Sequence, residues 1–265
     1  MRTETSVFLL VAFGFSWASW IPLALAGTTV RAGEGWPSHL PGLLGPALGA
    51  FAAVFAGRGR AGVIELCRRM IRWRPSRGVV LVLSATVLVA ISATVIGAAR
   101  GGSTDYSGAP AWGVLTVLYV LVVNGYGEET GWRGYLGDTL VRRTSKGVAA
   151  FIVWFVWGLW HIPLFFVVEN FRELGLGGII GWAIGLLSGS IVLLWMYLGA
   201  GRSILVVALW HTAFNYTAAT GVAAGVIAAV SSTAVIVLSI PIIVRRSWWT
   251  KPGALDEQVA SARSG

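Results

Sequence analysis

Apolar runs long enough to cross a bilayer recur through almost the whole chain, at about residues 6–26, 38–57, 79–98, 111–128, 148–168, 176–198, 203–220 and 222–244. A helix rises 1.5 Å per residue, so roughly 20 apolar residues span a ~30 Å hydrocarbon core. In that core every backbone N–H and C=O must be paired within the segment, which leaves the helix as the structure for such runs. The expected fold class is therefore all-α: a polytopic bundle of about eight transmembrane helices. No soluble domain fits between any two spans. Residues 1–250 read as a single helical membrane domain with a motif core at about 111–220, followed by a disordered cytoplasmic tail over 251–265.

Composition agrees. Only 12% of residues are charged, about half the share of a soluble domain. The 35 glycines suit close helix packing in lipid, and the 14 tryptophans suit interfacial belts and bundle cores. The first run, ending at Ala24-Leu25-Ala26, resembles a signal peptide with a small-residue cleavage site. Its span-like length and its Trp17, Trp20 and Pro22 favour a retained helix.

The net charge of +9 does not indicate nucleic acid. Seven arginines cluster between Arg58 and Arg77, read as a loop between two spans that faces the cytoplasm and touches anionic lipid. With the N-terminus inside, sixteen Lys and Arg fall on inner segments and three (Arg31, Arg100, Arg172) on outer ones. Both termini are then cytoplasmic, and the expected location is a bacterial plasma membrane. The lone Cys67 forms no internal disulfide and no zinc cluster.

Against this background a few polar groups stand out. Glu128 and Glu129 end the fourth run, in NGYGEETGWRGYL. A carboxylate at bilayer depth costs ~2.5–3.5 kcal/mol, so its retention asks for a reason. On a helix Glu129 and Arg133 share a face at i,i+4, while Glu128 points about 100° away. Glu129 can thus be neutralised by Arg133 and leave Glu128 available as a general base. The plainer alternative is a helix end carrying ordinary interfacial charges. His161 and His211 lie in similar stretches, VWGLWH and VVALWH. A single histidine in a helix is usually a satisfied core group; two of them beside an intramembrane glutamate change that balance. Asn215, four residues after His211, could donate to a developing oxyanion or simply bond a neighbouring helix. One tension arises from depth. His211 lies roughly 12 Å into its helix, whereas His161 lies ~20 Å from Lys146.

Two chemistries are open to this set. Glu128, His161 and His211 match a catalytic zinc ligand set with one position left for water. Alternatively Glu128 activates water directly, with the histidines and Asn215 stabilising the oxyanion. The chain has no HExxH motif, no compellingly placed serine nucleophile and no pair of intramembrane aspartates.

In order along the chain, EETGWR fits an EExxxR motif, His161 a (F/W)xxxH motif and HTAFN an HxxxN motif. Together they resemble the CAAX prenyl endopeptidase and bacteriocin-processing (CPBP, Abi) family of intramembrane proteases over about residues 111–220, with a weaker likeness at LPGLLGPALGA near 40–50. The resemblance implies an eight-helix bundle enclosing a cavity open toward the cytosol. It implies hydrolysis of a peptide bond in a membrane-associated substrate, either a prenylated CAAX-type protein or a leader-bearing precursor. It assigns Glu128 as the base, Glu129 and Arg133 as groups that orient it, and His161, His211 and Asn215 as the rest of the site. Metal dependence is unsettled in the family, so zinc on Glu128, His161 and His211 stands beside a metal-free mechanism. Trp157 occupies a position where the family usually has Phe, a change expected to alter pocket shape more than chemistry. Two other classes compete: a transporter with Glu and His along a cation path, and a non-enzymatic membrane partner such as an immunity or secretion accessory protein.

Overall fold

The chain folds as an all-α bundle in a computed structural model that describes residues 2–218, 220–221 and 225–252. Eight long helices run through the described residues: α1 (Arg2–Leu25), α2 (Gly45–Met70), α3 (Arg77–Ala99), α4 (114–140), α5 (Lys146–Trp160), α6 (Leu176–Gly199), α7 (Ile204–Ala218) and α8 (Val226–Ile243). By length and composition, six helical stretches are apolar enough to cross a membrane unaided, and Ile204–Ala218 is a shorter apolar helix. The α4 helix is the remaining one. Most of the tail expected over 251–265, and the start of the eighth span at 222–224, lie outside the described residues.

The α1 helix is built into the bundle. Phe8, Ala12 and Trp20 are fully buried. Ser16 Oγ donates to Gly42 O at 2.6 Å, Trp20 Nε1 to His39 O at 2.7 Å and Trp17 Nε1 to Trp160 O at 3.1 Å. These bonds fix α1 against the start of α2 and the end of α5.

The arginine-rich stretch departs from the expected loop. The α2 helix continues to Met70, through a kink at Gly59 (φ 58°, ψ −153°). Hydropathy ends the apolar run where charges begin, but helix propensity does not: Ala, Leu, Glu, Arg and Met are all strong formers. Nor do all seven arginines face lipid. Arg69 is buried, donating to Gly134 O at 3.0 Å and Tyr197 Oη at 2.7 Å, and it lies 3.5 Å from Asp138. Asp138 also pairs with Arg142 at 3.0 Å and Arg202 at 3.3 Å. This cluster fastens α2 to the ends of α4 and α6.

The α4 helix is irregular, and it carries the glutamates. Two π-helical turns, Leu121–Tyr126 and Trp132–Gly137, flank the α-helical Gly127–Gly131. Such π-bulges inside α-helices are frequent at functional sites. Its glycines admit close contact: a Cβ at Gly131 would overlap Pro46, and one at Gly127 would meet Leu43 O at 2.7 Å. The LPGLLGPALGA segment is therefore the surface against which the glutamate-bearing turn packs.

At the end of the bundle remote from the arginines, connecting segments pair through isolated bridges: Val30 with Val168, Ala32 with Ser107, and Tyr106 with Thr220. They carry the α3–α4 connection inward, so that Tyr106 is buried.

Candidate functional site

The i,i+4 spacing forecast between Glu129 and Arg133 is realised, with Arg133 Nη1 donating to Glu129 Oε1 at 2.9 Å. Both side chains are buried, at 0% and 1% exposure. The same oxygen is 2.7 Å from His211 Nδ1. Glu129 is acceptor-only when ionised, so the imidazole donates from Nδ1 and leaves Nε2 for other work. One carboxylate thus binds α4 to α7 and fixes the tautomer of His211.

Glu128 faces elsewhere, as the 100° step requires. Its Oε1 accepts from Asn124 Nδ2 at 2.9 Å and its Oε2 from Trp157 Nε1 at 2.6 Å. Among the described residues no cation forms an ion pair with it. Both oxygens thus accept from neutral N–H donors, and no salt bridge quenches the basicity of the carboxylate.

Trp157 joins the parts. Besides bonding Glu128, its backbone carbonyl lies 2.7 Å from His161 Nδ1. A carbonyl only accepts, so His161 donates from Nδ1 and keeps Nε2 as a bare acceptor. The Trp157 ring lies under the Arg133 guanidinium at 4.3 Å and edge-on to the His211 ring at 5.8 Å. An indole here changes more than pocket shape, because phenylalanine has no N–H to give Glu128.

Asn215 bridges rather than points into open space. Its Nδ2 donates to Asn124 Oδ1 at 2.7 Å and to Tyr106 Oη at 3.1 Å. Burial, and then the Glu128 carboxylate, push the Tyr106 phenol above its ordinary value, so it stays protonated at neutral pH.

All six sequence-derived residues therefore belong to one linked network: Glu129, Arg133 and His211 on one branch, Glu128, Trp157 and His161 on the next, and Asn215 reaching Glu128 through Asn124. The depth tension eases because α4 runs on to residue 140, placing Glu128 in mid-helix rather than at an inner end. His161 is the residue that directly follows α5. Sequence reasoning missed Asn124, Trp157 as a donor, and Tyr106. Asn124 was findable, being four residues before Glu128 on the same helical face. Tyr106 carried no such signal.

Zinc asks for three protein ligands converging at about 2 Å from one point. Among the described residues no group of three or more His, Cys, Asp or Glu is placed to hold a metal ion. The ring bonds of His161 and His211 do resemble those that orient ligating histidines. Yet the three side chains are not grouped around one point, so the set as arranged does not fit a zinc site, and no step below passes through one.

Residues 110–217 match the family model for Rce1-like proteins, described as type II CAAX prenyl endopeptidase Rce1-like. A curated relative from Methanococcus maripaludis, named CAAX prenyl protease 2, is 29% identical over 143 residues, which is 52% of this chain and 53% of that protein. The chain thus matches about half the length of that relative.

Proposed function

We infer the activity of this chain from its likeness to the Rce1-like CAAX prenyl endopeptidase family, whose model it matches over residues 110–217. It is an intramembrane endopeptidase that hydrolyses a peptide bond of a membrane-associated peptide or protein. The observation that carries this reading is Glu128: a buried carboxylate held by two neutral donors, beside a second carboxylate that takes both Arg133 and His211.

In the reaction, Glu128 takes a proton from water as the water oxygen bonds to the scissile carbonyl carbon. The carbonyl π pair moves onto oxygen. The tetrahedral adduct then collapses, the C–N bond breaks, and Glu128 returns its proton to the leaving amine. One water is consumed, and a carboxylic acid and an amine are released. His161, with Nδ1 held by the Trp157 carbonyl, offers Nε2 to position the water. His211 is kept in orientation by Glu129, and its positive form would balance charge developing on the carbonyl oxygen.

The test uses purified protein in detergent with a C-terminally tagged, lipidated peptide; a short apolar leader peptide is the second substrate. In heavy-oxygen water, a single turnover is expected to place one heavy oxygen in the new carboxylate. Absence of cleavage for both substrates, or ordinary oxygen in the first-turnover product, would sink the reading.

Trp157→Phe removes the N–H on Glu128 Oε2 while keeping a large ring. It should slow kcat about tenfold, the value of one charge-assisted bond of ~1.5 kcal/mol, with KM little changed. Steady-state kinetics on folded variant protein checks this.

For orientation, the excess of Lys and Arg on one side supports cytoplasmic termini. Cys67 is the chain's one cysteine and is exposed near the end of α2. A membrane-impermeant maleimide is expected to label it in inside-out vesicles and not in right-side-out ones. The reverse pattern would invert the topology.

A further inference from the structure

We propose that the groove between α3, α6 and α8 binds one anionic phospholipid, with an acyl chain against the apolar side chains of all three helices and the headgroup phosphate on Arg245. The site is separate from the glutamate and histidine network and does not depend on the hydrolase reading.

The groove lies near the arginine-rich end of the bundle. Val82 of α3, Val192 and Trp195 of α6, and Leu238 and Ile242 of α8 line a cavity of about 110 Å³, with Arg245 as the charged member of its wall. A helix with its side chains is about 10–12 Å across, so this space admits a hydrocarbon chain and not a partner helix. Lipid tails are as apolar as these side chains, so contact rather than escape from water decides what fills such a gap. A wall with no atoms opposite it forfeits its dispersion attraction, and a chain lying along it restores that. The α8 helix has most to gain. Of the six helical stretches long and apolar enough to cross a membrane it is the least buried, with 17% of its apolar window inside the bundle.

Charge selects the headgroup. Arg245 follows the end of α8 and is exposed, as are Arg246 beside it and Arg77 at the start of α3. Trp195 crosses from α6 to that start, its ring edge 3.5 Å from the Cβ position of Gly78, so Arg77 stands one residue from the groove wall. Among the described residues none of these three arginines forms an ion pair, whereas Arg69, Arg72, Arg142 and Arg202 share Glu65 and Asp138. The backbone of Arg245 is also held in place. It is extended (φ −72°, ψ 125°), its carbonyl accepts from Trp248 N at 2.9 Å, and the Trp248 side chain is buried. An unpaired guanidinium fixed above an apolar slot matches a phosphate joined to an acyl chain, and each basic group near an anionic leaflet adds attraction. Sequence alone directs anionic lipid to Arg58–Arg77; the groove brings in Arg245, from the far end of the chain.

The test uses the full-length protein, delipidated in a neutral detergent. Dioleoyl phosphatidylglycerol is expected to bind as a single tight lipid per chain in native mass spectrometry and to raise the thermal midpoint by mass action. Dioleoyl phosphatidylcholine should bind about fivefold more weakly or worse. Arg245→Gln should weaken phosphatidylglycerol about fivefold, the share of one basic group at an anionic surface, with the lipid-free midpoint unchanged. Arg245→Lys should bind within twofold of the parent, and so should Arg60→Gln, which removes an exposed arginine of α2 instead. Glycerol phosphate, the headgroup without chains, should not compete. Phosphatidylglycerol with a diazirine in one acyl chain should label peptides covering residues 192–195 and 238–242. Equal affinity for the two lipids, equal weakening by Arg60→Gln and Arg245→Gln, competition by glycerol phosphate, or label confined to other helices would each overturn the proposal. Should Arg245→Gln fail to fold, the lipid comparison and the photolabel on the parent protein decide without it.

Discussion

Glu128→Gln is expected to lower peptide hydrolysis by about 1,000-fold, within the range typical of a lost general base. Glutamine matches glutamate in size and cannot take a proton from water at neutral pH. The substitution also has a readable structural consequence. Trp157 Nε1 can only donate, so the new carbonyl oxygen must face it, as Glu128 Oε2 does at 2.6 Å. The new NH2 then meets Asn124 Nδ2, where Glu128 Oε1 now accepts at 2.9 Å. Two donors cannot pair, so Asn124 is expected to turn its amide and give up its bond to Asn215. The cost is about 1–3 kcal/mol, the penalty of one disturbed buried hydrogen bond, which leaves the bundle folded. Purified variant should therefore elute as the parent does, melt only a few degrees lower, bind an uncleavable amide-isostere peptide, and not cleave. Undiminished cleavage would remove Glu128 from the role of base.

Arg133→Ala has the largest expected effect on stability. Arg133 and Glu129 are 1% and 0% exposed, and Glu129 Oε1 serves both Arg133 and His211. Removing the guanidinium leaves a buried carboxylate with His211 as its remaining partner among the described residues and strips the cation from the Trp157 face, 4.3 Å away. Breaking a buried pair by deleting one partner costs about 3–5 kcal/mol. For a chain of this size that corresponds to a thermal midpoint lowered by about 10 °C. The paired change Glu129→Gln with Arg133→Met removes both charges and keeps an acceptor for His211 Nδ1. It should recover most of the stability, because two neutral groups replace a costly pair. Its cleavage rate should stay at least about tenfold down, since the positive form of His211 has lost its counter-charge. Thermal unfolding in one detergent, beside cleavage kinetics, separates the two effects. If the double variant is as unstable as Arg133→Ala, loss of packing rather than stranded charge is the cause.

The lipid-facing architecture was legible because bilayer burial imposes a length and a composition on each helix separately. The one irregular helix shows the limit of that signal. Hydropathy ends the fourth run near Glu128, but α4 continues to residue 140 through two π turns. Its charges are paired inside the bundle, and nothing in a hydropathy window distinguishes a paired charge from a solvated one. Arg69 is the same case: one of seven clustered arginines by sequence, yet the buried partner of Gly134, Tyr197 and Asp138.

Within the site, contacts along one helix were readable and contacts between helices were not. The Glu129–Arg133 pair, and the divergence of Glu128 from it, follow from 3.6 residues per turn and hold whatever surrounds them. Asn124 obeys the same rule and could have been found by it.

The sequence by itself determined an all-helical membrane fold, the i,i+4 pair on α4, and which acidic and imidazole groups lie in apolar surroundings, because each follows from local periodicity and the cost of burying charge. Only the tertiary structure decided that Glu129 holds His211, that the Trp157 indole holds Glu128, and that Asn215 bonds Asn124 and Tyr106. Those bonds join groups as many as 109 residues apart. Their directions are fixed by which atom can donate and which can only accept, a constraint that acts only once the helices are packed.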